Sequence, residues 1–172
     1  MTAKVSHYGD HSLRQQTRGN TTWMRIAKAH PMLMLGSRSL HQCHADNSEQ
    51  CYGEPTFTGL KQLLVQWPEA DPLDERSSFL DVGSGFGRLC AFIRLHTNAS
   101  VRGMEINECR WRKALDLQQS VRNEDPSAGL KLEFVHGDVR SMRDFSDATH
   151  LFAASTCWGE HLLASVFEKA MA

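Results

Sequence analysis

Short apolar runs alternate with amphipathic stretches through the last two thirds of the chain, and most runs close on a glycine or an acid. The runs Ser78–Val82, Ser100–Glu105, Lys131–His136 and Thr149–Ala154 have the length and apolar character of strands covered on both faces. Between them Leu89, Cys90, Phe92, Ile93 and Leu95 mark one helix. Trp111, Ala114, Leu115 and Gln118 lie along one stripe of another, predicted over Glu108–Arg122 with Asn107 as its cap. Phe57, Leu60, Leu63, Leu64 and Trp67 share one face of an earlier helix, with Thr56 as N-cap and Pro68 as its end, and a last helix is predicted from Glu160 to Met171. Strands and helices alternating at this spacing predict an α/β fold with a parallel sheet and right-handed crossovers. Ligand is then expected at the carboxyl ends of the strands.

Residues 1–50 show no sustained apolar period. They predict an irregular, basic, His/Ser/Gln-rich arm with one short helix at Trp23–Ala29 closed by Pro31, ahead of a single domain over 51–172. The formal net charge is -1, yet residues 1–50 hold six Lys/Arg against three Asp/Glu, so only the arm is expected to attract nucleic acid or an acidic partner. With 41% hydrophobic residues and no apolar run of the roughly 18 residues a membrane helix needs, a soluble protein without membrane contact is expected. Five cysteines without framework spacing predict a reducing, intracellular setting. Residues 1–45 carry one acid, Asp10, among scattered Arg and Ser, a composition also found in organelle import peptides. His41, Cys43, His44 and Cys51 match no common zinc spacing, and no metal is assigned.

The chemistry concentrates at the strand ends. Phe79-Leu-Asp-Val-Gly-Ser-Gly-Phe-Gly87 is a strand running into a glycine loop, and Arg88 follows the third glycine, one position earlier than the dinucleotide fingerprint allows. A nucleoside therefore fits better than a diphosphate. Asp81, Glu105 and Asp138 end three successive strands. Glu105 is placed to accept both ribose hydroxyls and Asp138 an adenine amino group, which suits a cationic, amino-bearing adenosine.

The order Tyr52-Gly-Glu54, Asp81-Val-Gly-Ser-Gly-Phe-Gly87, Gly103-Met-Glu105, Gly137-Asp138 and Leu151-Phe-Ala-Ala-Ser-Thr-Cys-Trp-Gly159 resembles the class I S-adenosylmethionine-dependent methyltransferases. Within them it is similar to the disruptor-of-telomeric-silencing type, histone-lysine methyltransferases without a SET domain. The resemblance covers about residues 51–172, and the Tyr-Gly-Glu turn is its most selective part. It implies a Rossmann-like sheet, S-adenosylmethionine as cofactor, a histone or nucleosome substrate, and a nuclear location. The cofactor residues it implies are Tyr52, Glu54, Thr56, Asp81, Gly83, Ser84, Gly85, Gly87, Glu105, Asp138, Val139 and Ser155. Trp158, placed after the fourth strand, reads either as a wall of the substrate channel or as a core residue packed on the last helix through Leu162 and Phe167, and Phe86 is a weaker wall candidate.

The chain departs from that pattern at three positions. Pro55 replaces a cofactor-touching Thr, Val139 replaces an aromatic on the adenine, and Ala154 replaces an Asn, leaving Ser155 or Thr156 to hold the methionine end. The family's sheet has seven strands and this sequence shows four, so a truncated sheet is expected. Leu151 and Phe152 would then form an apolar edge prone to self-association. A class I methyltransferase of RNA or of a small molecule, and an inactive remnant that binds cofactor, are the alternative readings.

Overall fold

The computed structural model describes residues 8–29, 55–68, 70–155 and 158–172. In chain order the elements are α1 (Tyr8–Ala29), α2 (Phe57–Val65), β1 (Ser78–Val82), α3 (Arg88–His96), β2 (Ser100–Glu105), α4 (Glu108–Glu124), α5 (Pro126–Gly129), β3 (Leu132–His136), a 3-10 turn at Val139–Ser141, β4 (His150–Ala153) and α6 (Glu160–Ala170). The four strands make one parallel sheet in the order β3-β2-β1-β4.

Register places the strand tips side by side. Asp81 pairs with Gly103 and Phe152, and Glu105 pairs with His136. Alternation along the strands feeds two cores. Phe79, Val101, Leu132 and Phe134 face α1–α4, where Trp23, Leu60, Phe92, Leu117 and Val121 complete a layer. Leu80, Val82 and Met104 face the other way, onto Val139, Phe145 and Val166 of α6. Burial of both faces explains why the strands read as apolar runs rather than as alternating ones. This is an α/β fold with a four-stranded parallel sheet.

Residues 8–29 correct the expected irregular arm. They form a 22-residue helix that packs on the domain, starting 15 residues before the short helix predicted at Trp23. Trp23 is fully buried, edge-on to Phe92 at 5.4 Å and stacked on Phe57 at 6.1 Å. The polar face is engaged too. Gln15 Nε2 donates to the carbonyls of Leu95 and Thr97, Arg18 meets Asp125 at 2.8 Å, and Arg25 meets Glu124 at 3.6 Å. Among the described residues Arg18 and Arg25 of the arm thus contact the domain's own acids. Among its described buried positions Gly19 and Thr22 are not apolar, so only Trp23, Ile26 and Ala27 gave an apolar signal in the sequence.

α4 also differs from its predicted stripe. Its buried positions are Arg110, Ala114, Leu117 and Val121, while Trp111, Leu115 and Gln118 lie half-buried beside them. Arg94 of α3 replaces an apolar lock with a polar one, its guanidinium donating to the carbonyls of Ala128, Thr97, Ala99 and Ser127. Cys90 is a buried thiol outside any disulfide, whereas Cys109 is disulfide-bonded. Among the described residues β4 has β1 as its one neighbour. Leu151 on it is 36% exposed, while Phe152 packs on Phe79. No helix among the described residues is long and apolar enough to cross a membrane.

Candidate functional site

The glycine loop wraps around the tip of β2. Gly83, Gly85 and Gly87 all have positive φ, which lets the chain double back over a short distance. The amides of Gly83 and Ser84 both donate to the Met104 carbonyl, at 2.8 and 2.9 Å, and the Gly87 amide donates to the Ser84 carbonyl at 2.9 Å. Gly87 cannot carry a side chain, since φ is 79° and a Cβ there would overlap the Phe134 ring. At Gly103 a Cβ would lie 2.7 Å from both Phe134 and Ser84, so the loop reaches β2 only because that residue is bare. The loop then opens α3, whose free amide groups carry partial positive charge.

Glu105 is 4% exposed and holds this turn together. Its Oε2 accepts the Gly85 amide at 2.8 Å and its Oε1 the Asn107 amide at 2.8 Å, while the Arg110 guanidinium stands 3.9 Å from Oε1. Each oxygen retains acceptor capacity after one amide bond, so the carboxylate can take ribose hydroxyls as well. Asn107 caps α4 through its side chain, which accepts the Arg110 amide, as predicted.

Asp138 sits on the neighbouring tip, just past Gly137, whose amide donates to the Glu105 carbonyl at 3.0 Å. Its carboxylate does not stand open as the sequence suggested. Arg140 folds back onto it through Nε and Nη2, and that contact, with the Arg140 amide, holds the carboxyl below the usual Asp range against the opposing effect of partial burial. Asp81 lies on the α3 side of the sheet, 3% exposed, where its Oδ2 accepts the Cys90 thiol at 3.5 Å. The three acids thus occupy adjacent strand ends, with Glu105 and Asp138 at the tips and Asp81 beneath the helix.

Other expected residues fall as follows. The Ser84 hydroxyl is buried with no partner among the described residues. Val139 is 8% exposed and belongs to the α6-side core. Thr56 is the α2 N-cap, its hydroxyl accepting the Gly59 amide at 3.1 Å, so its side chain serves the helix. Tyr52 and Glu54, like the His41, Cys43, His44 and Cys51 group, lie outside the described residues. Ser155 lies two residues past the end of β4, and its carbonyl accepts the Trp158 amide at 3.0 Å. Trp158 is half-buried, packs against the α6-side core, and its Cζ2 would lie 3.6 Å from a Cβ at Gly83. It therefore stands beside the glycine loop while packing on the core. Phe86, the weaker wall candidate, is a core residue at 5% exposure.

Sequence reasoning missed Ile106 and Arg110. Ile106 directly follows Glu105, is 44% exposed, and its carbonyl is held by His136 Nε2 at 3.0 Å, leaving an apolar side chain open beside the carboxylate. Arg110 gave a signal in the sequence, because it lies in register with Ala114, Leu117 and Val121 on the buried stripe.

No protein-family model matches the chain, and no curated protein does. Solved structures do. YjhP from E. coli is 15% identical with a TM-score of 0.51, over 71% of this chain and 49% of that one. A SAM-dependent methyltransferase from Geobacter sulfurreducens, in complex with S-adenosyl-L-homocysteine, is 18% identical with a TM-score of 0.50, over 71% and 48%. An RNA methyltransferase from Salinibacter ruber, also with S-adenosyl-L-homocysteine, is 25% identical with a TM-score of 0.43, over 58% and 59%. The chain spans between 48% and 59% of the length of these structures. The fold is the Rossmann-like α/β fold of class I methyltransferases.

Proposed function

We propose that this chain is an S-adenosylmethionine-dependent methyltransferase. The observation that carries the reading is Glu105, a buried carboxylate at the tip of β2 bonded to the Gly85 amide, in a sheet of class I methyltransferase type. The residues present fit such a cofactor. Gly83 is the exposed member of the glycine loop, Glu105 keeps acceptor capacity for ribose hydroxyls, and Ile106 offers an apolar face of the kind a purine ring covers. When bound, the cofactor supplies an electrophilic methyl group on a sulfonium.

The protein's part is alignment and desolvation. Glu105 and the glycine loop fix the sugar, and Trp158 beside Gly83 forms an apolar wall at the end of the pocket where β1 and β4 stop. Holding nucleophile and methyl in line supplies most of the acceleration such a displacement needs. An amine nucleophile must arrive neutral although a free lysine titrates at about 10.4, and an apolar wall favours the neutral form without a general base.

The substrate class we propose is a protein lysine, in a histone or nucleosome. The Tyr52-Gly-Glu54 turn and the order of the motifs support it. Transfer of labelled methyl from S-adenosylmethionine to nucleosomes, and not to RNA or free nucleosides, is the expected result. Transfer to RNA or nucleosides alone would overturn the substrate while leaving the enzyme class.

A further inference from the structure

The geometry points to a latch on the purine end of the pocket, in which the Arg140 guanidinium occupies the Asp138 acceptor sites that a ligand's exocyclic amine would use. This inference rests on the nucleoside reading of the pocket. Asp138 Oδ1 accepts the Arg140 amide at 2.9 Å and Nε at 3.0 Å, while Oδ2 accepts Nε at 2.8 Å and Nη2 at 2.6 Å. Three N–H donors, the Arg140 amide, Nε and Nη2, thus crowd a carboxylate that offers about four lone-pair directions, the Nε hydrogen being shared between the two oxygens. An incoming amine has to compete with these donors.

The moving part is well separated from the fixed part. Val139 is buried in the α6-side core, the Ser141 hydroxyl donates to the Asp138 carbonyl at 2.7 Å, and Lys169 of α6 donates to the Arg140 carbonyl at 3.3 Å, so the backbone of the turn is held on both sides. The guanidinium itself is largely exposed. The Arg140 side chain is 62% exposed and that of Asp138 31%, so the pair is held weakly and can open without disturbing the core. Asp138 neighbours Glu105 through Gly137, which puts the latch one strand away from the proposed ribose contact. Arg140 thereby lowers affinity for an amine-bearing base and leaves a base without that amine untouched.

Isothermal titration calorimetry of the full chain tests this with two probes, S-adenosylhomocysteine and S-inosylhomocysteine, the second carrying oxygen where the first has the amine. Arg140→Gln is expected to bind the adenosyl ligand about threefold tighter, to gain nothing for the inosyl ligand, and to have no effect when Asp138→Asn is already present. Unchanged or weaker adenosyl binding in Arg140→Gln overturns the latch and leaves the nucleoside pocket standing. So does an equal gain for both ligands, or a gain that persists in the Asp138→Asn background. Absence of binding by every variant and by the native chain overturns the pocket and the latch together, and circular dichroism of each variant separates these results from misfolding.

Discussion

Glu105 and Gly85 are 20 residues apart, and a 2.8 Å bond from the Gly85 amide to the Glu105 carboxylate fixes the glycine loop to the tip of β2. The same side chain therefore shapes the loop and presents an acceptor to a ligand. Glu105→Gln keeps the size and one acceptor but exchanges the other for an amide donor facing a backbone amide. It also removes the negative charge beside buried Arg110. The expected cost is about 1–3 kcal/mol in urea unfolding, with a loss of nucleoside affinity larger than the stability loss accounts for. Equal stability and affinity in the variant would remove Glu105 from both roles.

Two glycines that look alike in sequence are expected to respond with opposite sign. Gly87→Ala forces a Cβ into the Phe134 ring at positive φ, and should destabilise by more than about 2 kcal/mol. Gly59 lies inside α2, where a Cβ would meet Thr56 Oγ1 at 3.5 Å, an ordinary contact. Gly59→Ala should stabilise by about 0.5–1 kcal/mol. Thermal melts of the two variants read both effects.

The packing of α1 makes Trp23 a test of whether the N-terminal helix belongs to the domain. Trp23→Ala leaves a cavity between Phe57 and Phe92 and should cost about 3–5 kcal/mol. The indole nitrogen finds no acceptor among the described residues, so Trp23→Phe removes a buried unpaired donor and should cost far less. Loss of the same size in both variants, or none in either, would separate α1 from the core.

Acid should weaken the fold in two stages. Burial holds the His96 imidazole below its ordinary value of 6.5, opposed by its bond to the Phe92 carbonyl and helped by the Lys61 charge. A depressed histidine favours the folded state in its neutral form. Its contribution is complete above about 6.5 and declines as pH falls toward the folded value. Burial pushes Asp125 up, but the Ser127 hydroxyl, the Ala128 amide and the charges of Arg18 and Arg94 outweigh it and hold the carboxyl below 3.8. That contribution persists to lower pH and is lost only as pH falls below about 3.8 and through the folded value. Urea melts between pH 8 and 5 should show falling stability in the native chain, and His96→Gln should flatten that slope whatever its absolute stability.

The sheet and most of its helices were legible because burial on both faces forces continuous apolar runs, and Asn107 and Thr56 announce helix starts by residue type alone. α1 was legible only at Trp23, Ile26 and Ala27, since Gln15, Arg18 and Arg25 bind the domain through polar contacts that carry no apolar signal. The glycine loop was legible as far as backbone geometry dictates residue type, at Gly83, Gly85 and Gly87, whereas the need for a bare Gly103 beneath it was not. What Asp81 and Asp138 actually contact was not, because Cys90 and Arg140 reach them through side-chain rotamers that no spacing rule fixes.

Equilibrium dialysis of labelled S-adenosylmethionine against the native chain and a folded Glu105→Ala variant bears most directly on the central claim. Saturable binding of one cofactor per chain, weakened at least about tenfold in the variant, is the expected result. No retention at millimolar cofactor by the native chain, or equal retention by both, would contradict it.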